Sequence, residues 1–127
     1  MTDRREFEQL LHELYAARLN GMLDKLCGLF VQDASFKIVG ASDGRPIAIC
    51  ASGIDAIRPW LAMMVKTFRL TNQKILTTVI EADRAAVHWS ADIHSRITGA
   101  RVATELVDLV EVRDSRIAAY TELFVPR

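Results

Sequence analysis

The period of the hydrophobic pattern changes near residue 70, and that change limits the fold more than any other feature of the chain. Before it, apolar residues recur at helical spacing: Phe7, Leu10, Leu11 and Leu14 within residues 3–19, then Leu23, Leu26, Cys27 and Phe30 within 22–31. Asn20-Gly21 separates the two helices, since both residues tolerate a left-handed turn. A period-2 run, Phe36-Lys37-Ile38-Val39, the turn signal Ser42-Asp43-Gly44-Arg45 and the run Ile47-Ala48-Ile49 predict a first hairpin. A third helix follows, with Ser52 as cap, Asp55 three residues on, and a stripe of Ile54, Ile57, Leu61, Met64, Val65 and Phe68. Pro59 removes a hydrogen bond inside that stripe, so the helix either begins near Arg58 or bends there. From Leu70 onward every segment reads as strand: 70–81, 85–98, 101–113 and 116–124, joined by tight turns. The order α-α-β-β-α-β-β-β-β predicts an α+β fold, a strongly curved antiparallel sheet wrapped around three helices.

Composition narrows the function classes. A chain of 127 residues is expected to form a single domain over 1–127, and 50% hydrophobic with 25% charged residues excludes a disordered chain. A mean hydropathy of +0.13 is high for so small a domain and points to apolar surface lining a cavity or a partner interface. The 16 basic and 16 acidic residues cancel, which excludes the basic face that nucleic acid requires. The longest apolar run, Trp60 to Val65, is far too short to span a membrane. The charged start, Met1-Thr2-Asp3-Arg4-Arg5-Glu6, lacks the apolar stretch of a signal peptide, so a cytoplasmic location is expected. Neither Cys27 and Cys50 nor the three histidines have metal-ligand spacing; both thiols read as core filler, and neither metal nor cofactor is expected.

Strand register places the chemistry. Read as a two-residue turn, Thr98-Gly99-Ala100-Arg101 pairs Ala91 with Asp108 and His94 with Glu105. One face then collects Val87, Trp89, Ala91, Ile93, Ile97, Val102, Leu106, Val110 and Val112; the other is polar, with His88 and His94 on it. Asp108 stands alone on the apolar face. It is either a satisfied buried aspartate or a pocket carboxyl with a raised pKa, fit to act as acid, base or hydrogen-bond donor. The turn Arg113-Asp114-Ser115-Arg116 pairs Val112 with Ile117 and Asp108 with Thr121, leaving Tyr120 and Glu122 outside; a single bulge brings both beside Asp108. The two alternatives stay open in the sequence. Arg18, one turn after Tyr15 and Leu14, could reach Asp108 as a buried partner and make the site an inert ion pair.

These pieces together resemble the nuclear transport factor 2-like superfamily, within it the SnoaL-like polyketide cyclase and ketosteroid isomerase branch. The resemblance rests on Leu14-Tyr15-Ala16-Ala17, Leu19-Asn20-Gly21, Leu29-Phe30-Val31-Gln32-Asp33-Ala34, Gly53-Ile54-Asp55-Ala56-Ile57-Arg58 and the stretch from Val107 to Ile117. It implies a cone-shaped α+β barrel with a deep apolar pocket, and a homodimer formed through the outer face of the sheet. It further implies that Tyr15 and Asp108 correspond to the oxyanion-binding pair of the isomerases. The isomerases' general base on the first strand corresponds to Ile38, which moves no proton. In cyclase-like relatives the acid matching Asp108 is itself the acid/base.

The expected function is therefore an apolar small-molecule pocket, with cofactor-free proton transfer on a carbonyl or cyclic compound: isomerisation, cyclisation or dehydration. Asp108, Tyr15 and Glu122 are the candidate catalytic residues. Phe36, Ile38, Trp60, Met64, Trp89, Ala91, Ile93, Val110 and Tyr120 are the candidate ligand contacts. A non-catalytic domain that binds an apolar ligand, or a dimeric interaction domain, is the alternative.

Overall fold

A computed structural model describes residues 3–42 and 45–125. The first helix, α1 (Arg4–Leu19), is capped by Asp3, whose carboxylate accepts from the Arg5 amide. Helix α2 (Leu23–Gly28) is shorter than the sequence suggests, because Phe30 opens strand β1 (Phe30–Ser42) instead. The cause is a tertiary contact: the Ile117 amide donates to the Leu29 carbonyl at 2.8 Å, drawing the chain into the sheet. Strand β2 (Arg45–Ser52) pairs with β1; the predicted turn between them includes residues 43 and 44, which lie outside the described residues.

Helix α3 (Ile54–Ala62) begins after Gly53, at φ 84°, and no side chain caps it, so the expected Ser52 cap does not form. Pro59 lies inside α3, and the helix runs past it into a π-helical turn, Met63–Thr67. Strands β3 (Phe68–Glu81), β4 (Arg84–Ser95), β5 (Arg101–Arg113) and β6 (Arg116–Phe124) complete the chain. The six strands form one curved sheet in the order β2-β1-β6-β5-β4-β3. Neighbours are antiparallel except β1 and β6, which run parallel, so the sheet is mixed rather than wholly antiparallel. The last strand returns beside the first, which joins the N-terminal hairpin to the meander within the sheet.

The β4–β5 hairpin corrects one expected register. Its loop spans residues 96–100, not two residues, so His94 pairs with Arg101, Ala91 with Thr104 and Val87 with Asp108. Ser95 sets the wider loop: its hydroxyl accepts from the Ile97 and Thr98 amides. The slip is four residues, an even number, so side-chain faces are preserved and Asp108 still points inward. Ile97 and Val102, expected inside, are 81% and 56% exposed at the loop. His88, not His94, meets Glu105, at 3.1 Å, while His94 bonds the Thr71 hydroxyl. Cys27 is buried as expected, but Cys50 is exposed on β2.

The β5–β6 hairpin keeps its two-residue turn, with Val112 opposite Ile117, and then bulges. Glu111 faces Ala119, so Ala118 has no opposite residue. Every residue after it changes face, and Tyr120 and Glu122 become buried. The turn residues Asp114 and Ser115 both hold left-handed backbone, at φ 54° and 61°. That geometry favours glycine over serine by about 1 kcal/mol. Ser115→Gly is therefore expected to raise the melting temperature by about 2–5 °C, read by calorimetry or circular dichroism.

Candidate functional site

Asp108 is carried inward on β5 between Leu106 and Val110, and its strand neighbours are Val87 on β4 and Glu122 on β6. The β6 bulge supplies Tyr120 and Glu122 to the same side. Helix α1 supplies the rest: Tyr15 and Arg18, three residues apart, lie on its buried face. Asp108 is completely buried, and Glu122 and Arg18 are 2% and 6% exposed.

One carboxylate oxygen of Asp108, Oδ2, gathers three donors. The Tyr15 and Tyr120 hydroxyls each lie 2.6 Å away, and the Trp89 indole Nε1 donates at 2.9 Å. The other oxygen, Oδ1, is buried with no partner among the described residues. Arg18 stands nearby, yet its direct partner is Glu122: Nη1 donates to Glu122 Oε2 at 2.7 Å and to the Tyr120 hydroxyl at 3.1 Å, but lies 3.8 Å from Asp108. Its guanidinium stacks 5.0 Å over the Trp89 ring. The Tyr120 hydroxyl also lies 3.2 Å from Glu122 Oε2, so it bridges the two carboxyl groups.

One buried cation thus faces two carboxyl groups, and it pairs closely with only one of them. Burial, and then the neighbouring Glu122 charge, push the Asp108 carboxyl up to about 8, against the opposing pull of Arg18 and the tyrosine hydrogen bonds. Burial and Asp108 likewise raise Tyr15 and Tyr120, which stay neutral donors. Burial works against the Arg18 charge, but Glu122 and its other neighbours outweigh it and hold the guanidinium protonated. The unpartnered Oδ1 is where a neutral Asp108 can carry its proton without displacing any of the three donors.

A cavity of about 260 Å³ opens beside this cluster. Arg18 and Glu122 are its polar wall. Ile38, Met64 and Ile93, each a candidate ligand contact, are in its lining. The lining also includes Ile49, Met63, Phe68, Leu70 and Phe124. Gly40 makes room for Phe124 there, since a Cβ on Gly40 would come within 2.9 Å of its ring.

Other predicted residues lie elsewhere. Asp108 and Tyr15 are not in the cavity lining; they stand behind Arg18 and Glu122. Tyr120 and Phe36 stack on each other, 5.9 Å between ring centres. Trp89 packs edge-on against Tyr15 and is committed to Asp108. Ala91 and Val110 are buried strand residues outside the lining, and Trp60 packs at the edge of the core, half-buried. Of the added lining residues, Phe124 shares the face of Glu122, so the β6 bulge that the sequence left as an open alternative brings both inward. Phe68, whose spacing places it in the stripe of the third helix, instead opens β3, and Leu70 follows it two residues on along the same strand face. Among the described residues, no group of His, Cys, Asp and Glu is placed to hold a metal ion, and no helix is long and apolar enough to cross a membrane.

The sequence pattern of the SnoaL-like domain family matches residues 11–120. No curated protein sequence matches the chain. Among solved structures, a candidate isomerase from Bacillus subtilis is 25% identical, over 95% of this chain and 89% of that one, with a TM-score of 0.76. A nuclear transport factor 2-like protein from Burkholderia xenovorans LB400 is 18% identical, over 98% and 93%, at a TM-score of 0.79. An epoxide hydrolase of Mycobacterium tuberculosis, of the LEH-like type, is 16% identical, over 95% and 84%, at 0.72. The last two likenesses are of fold.

Asp108 also shapes stability. Its folded value near 8 lies above the ordinary carboxylate value, so across that window the folded chain holds a proton the unfolded chain has released. The stability it contributes is fully present below the unfolded value and is lost as pH rises toward about 8. Asp108→Asn keeps an acceptor for the three donors and has no proton to lose. Between about pH 5 and pH 8 the wild-type melting temperature is expected to fall relative to that of Asp108→Asn. Parallel curves would show that Asp108 is ionised throughout.

Proposed function

This chain belongs to the SnoaL-like domain family, and we propose that it is a cofactor-free acid–base enzyme acting on an apolar carbonyl compound held in the cavity beside Arg18 and Glu122. The observation that carries this reading is a register. Glu122 on β6 is the strand partner of Ile38 on β1, and both line the cavity. The resemblance to the isomerases puts their general base at position 38, where this chain has isoleucine. Parallel partners stand about 4.8 Å apart, so Glu122 offers a carboxylate one strand over from the vacated position. The candidate isomerase of Bacillus subtilis supports the same class of chemistry.

In this reading Glu122, not Asp108, meets the ligand. Its carboxylate takes a proton from the carbon beside the carbonyl; the C–H pair moves into the enolate, and negative charge develops on oxygen. Arg18, a fixed cation at the same end of the cavity, stabilises that oxygen. Glu122 then returns the proton to another carbon of the enolate system, which completes an isomerisation and restores its carboxylate. Asp108 acts behind them as a neutral acid. Tyr120 links it to Glu122, and Tyr15 and Trp89 hold its orientation, which makes all four positioning residues. Keeping Asp108 neutral leaves the Arg18 charge committed to Glu122 and the developing oxyanion.

The test is conversion of a β,γ-unsaturated cyclic ketone to its conjugated isomer, followed by ultraviolet absorbance. Glu122→Gln is expected to lower turnover about 10²–10⁴-fold while changing ligand affinity only a few-fold. Wild-type rates in that variant refute the assignment. A wild-type chain that binds such ketones and converts none is a ligand-binding domain instead.

A further inference from the structure

The cavity also carries information about what it admits. It has one polar end, and the groups there nearly cancel. Arg18 is positive, Glu122 pairs with it at 2.7 Å, and Asp108 is the third member, 3.8 Å from the same nitrogen. With the Asp108 carboxyl neutral the cluster has no net charge. An anionic ligand therefore finds no uncommitted cation and must stand beside Glu122. A cationic ligand must stand beside Arg18. Burying either charge without a partner is costly. The Arg18 guanidinium lines that end, and its printed bonds to Glu122 and Tyr120 both come from Nη1, so the five-donor group has donor capacity left. A neutral ligand oxygen can accept from it without adding a charge.

The rest of the wall is apolar, formed by side chains such as Ile49, Met64, Phe68 and Ile93, and has no group to receive a second polar function. Size follows from volume. A dry apolar cavity of about 150 Å³ accommodates benzene, six non-hydrogen atoms. In proportion, 260 Å³ holds about ten. A fused four-ring skeleton has about twice that number, so about half of it would stand outside the apolar space.

We propose that the ligand is a compact, uncharged, essentially monocyclic apolar compound of about ten non-hydrogen atoms, with its one oxygen function at the end of the cavity formed by Arg18 and Glu122. This inference rests on the reading of the cavity as the substrate site and gives that reading a substrate class. Fused polycyclic compounds and carboxylic acids are excluded from it.

Isothermal titration calorimetry on the full chain tests the class without requiring turnover. The probes are cyclohexenone with about seven non-hydrogen atoms, a monocyclic ten-carbon enone with about eleven, the carboxylic acid of the same ring skeleton, and a four-ring steroid enone. The ten-carbon enone is expected to bind at least ten-fold more tightly than each of the other three. Equal or tighter binding of the steroid, or of the acid, overturns the proposal. Met64→Phe, checked for folding by its melting curve, narrows the cavity and should shift the preference toward cyclohexenone. An unchanged order in that folded variant places the ligand elsewhere and also overturns the proposal. Tight binding of the ten-carbon enone with no conversion of any ketone defeats the enzymatic reading alone. Conversion of the steroid defeats the size class alone.

Discussion

A guanidinium buried between two carboxyl groups organises this molecule. Arg18 is removed from water, and a buried cation without partners would cost several kcal/mol. Glu122 answers it directly, and Asp108 answers it at longer range through the Tyr120 hydroxyl. Because one positive charge cannot balance two negative ones in so apolar a setting, one proton is retained, and the more deeply enclosed Asp108 retains it. The helix that carries Tyr15 and Arg18 and the strands that carry Asp108, Glu122 and Trp89 are tied together at this point. The same cluster that fixes α1 against the sheet also gives the cavity its polar end.

That coupling separates two roles that the residues alone do not distinguish. Asp108, the more conspicuous acid in the sequence, is enclosed by three donors and kept from the cavity lining. Glu122, the less conspicuous one, is in contact with the space a ligand would fill. The inner acid sets the charge state of the outer pair, and the outer pair meets the ligand. Substitutions at Asp108 and at Glu122 should therefore differ in kind, the first acting through stability and pH and the second through the chemical step.

Much of this was legible in the sequence. The order of elements, the inward direction of Asp108 and the apolar face of β4 and β5 all follow from hydrophobic period, which side-chain burial enforces directly. The Asp108 face survived a four-residue error in pairing because alternation depends only on parity. What was not legible depends on single backbone events with weak local signals. The Ser95 hydroxyl closes a wider loop than glycine at 99 suggests. The unopposed Ala118 reverses the face of β6, and no residue type there announces it. Since Tyr120, Glu122 and Phe124 all follow that bulge, one irregularity decided most of the site. Resemblance to the family supplied Tyr15 and Asp108 as a pair, but the pairing of Glu122 with Ile38 across β1 and β6 required the parallel register of those two strands.

The central claim is that Asp108 stays protonated beside the Arg18–Glu122 pair. The most direct measurement is a ¹³C NMR titration of its carboxyl carbon in the intact chain, assigned by loss of the signal in Asp108→Asn. A resonance that holds the chemical shift of a neutral acid at neutral pH and titrates near 8 agrees with the account. A resonance that is already that of a carboxylate at about pH 5 contradicts it, since Arg18 would then be shared by two ionised groups.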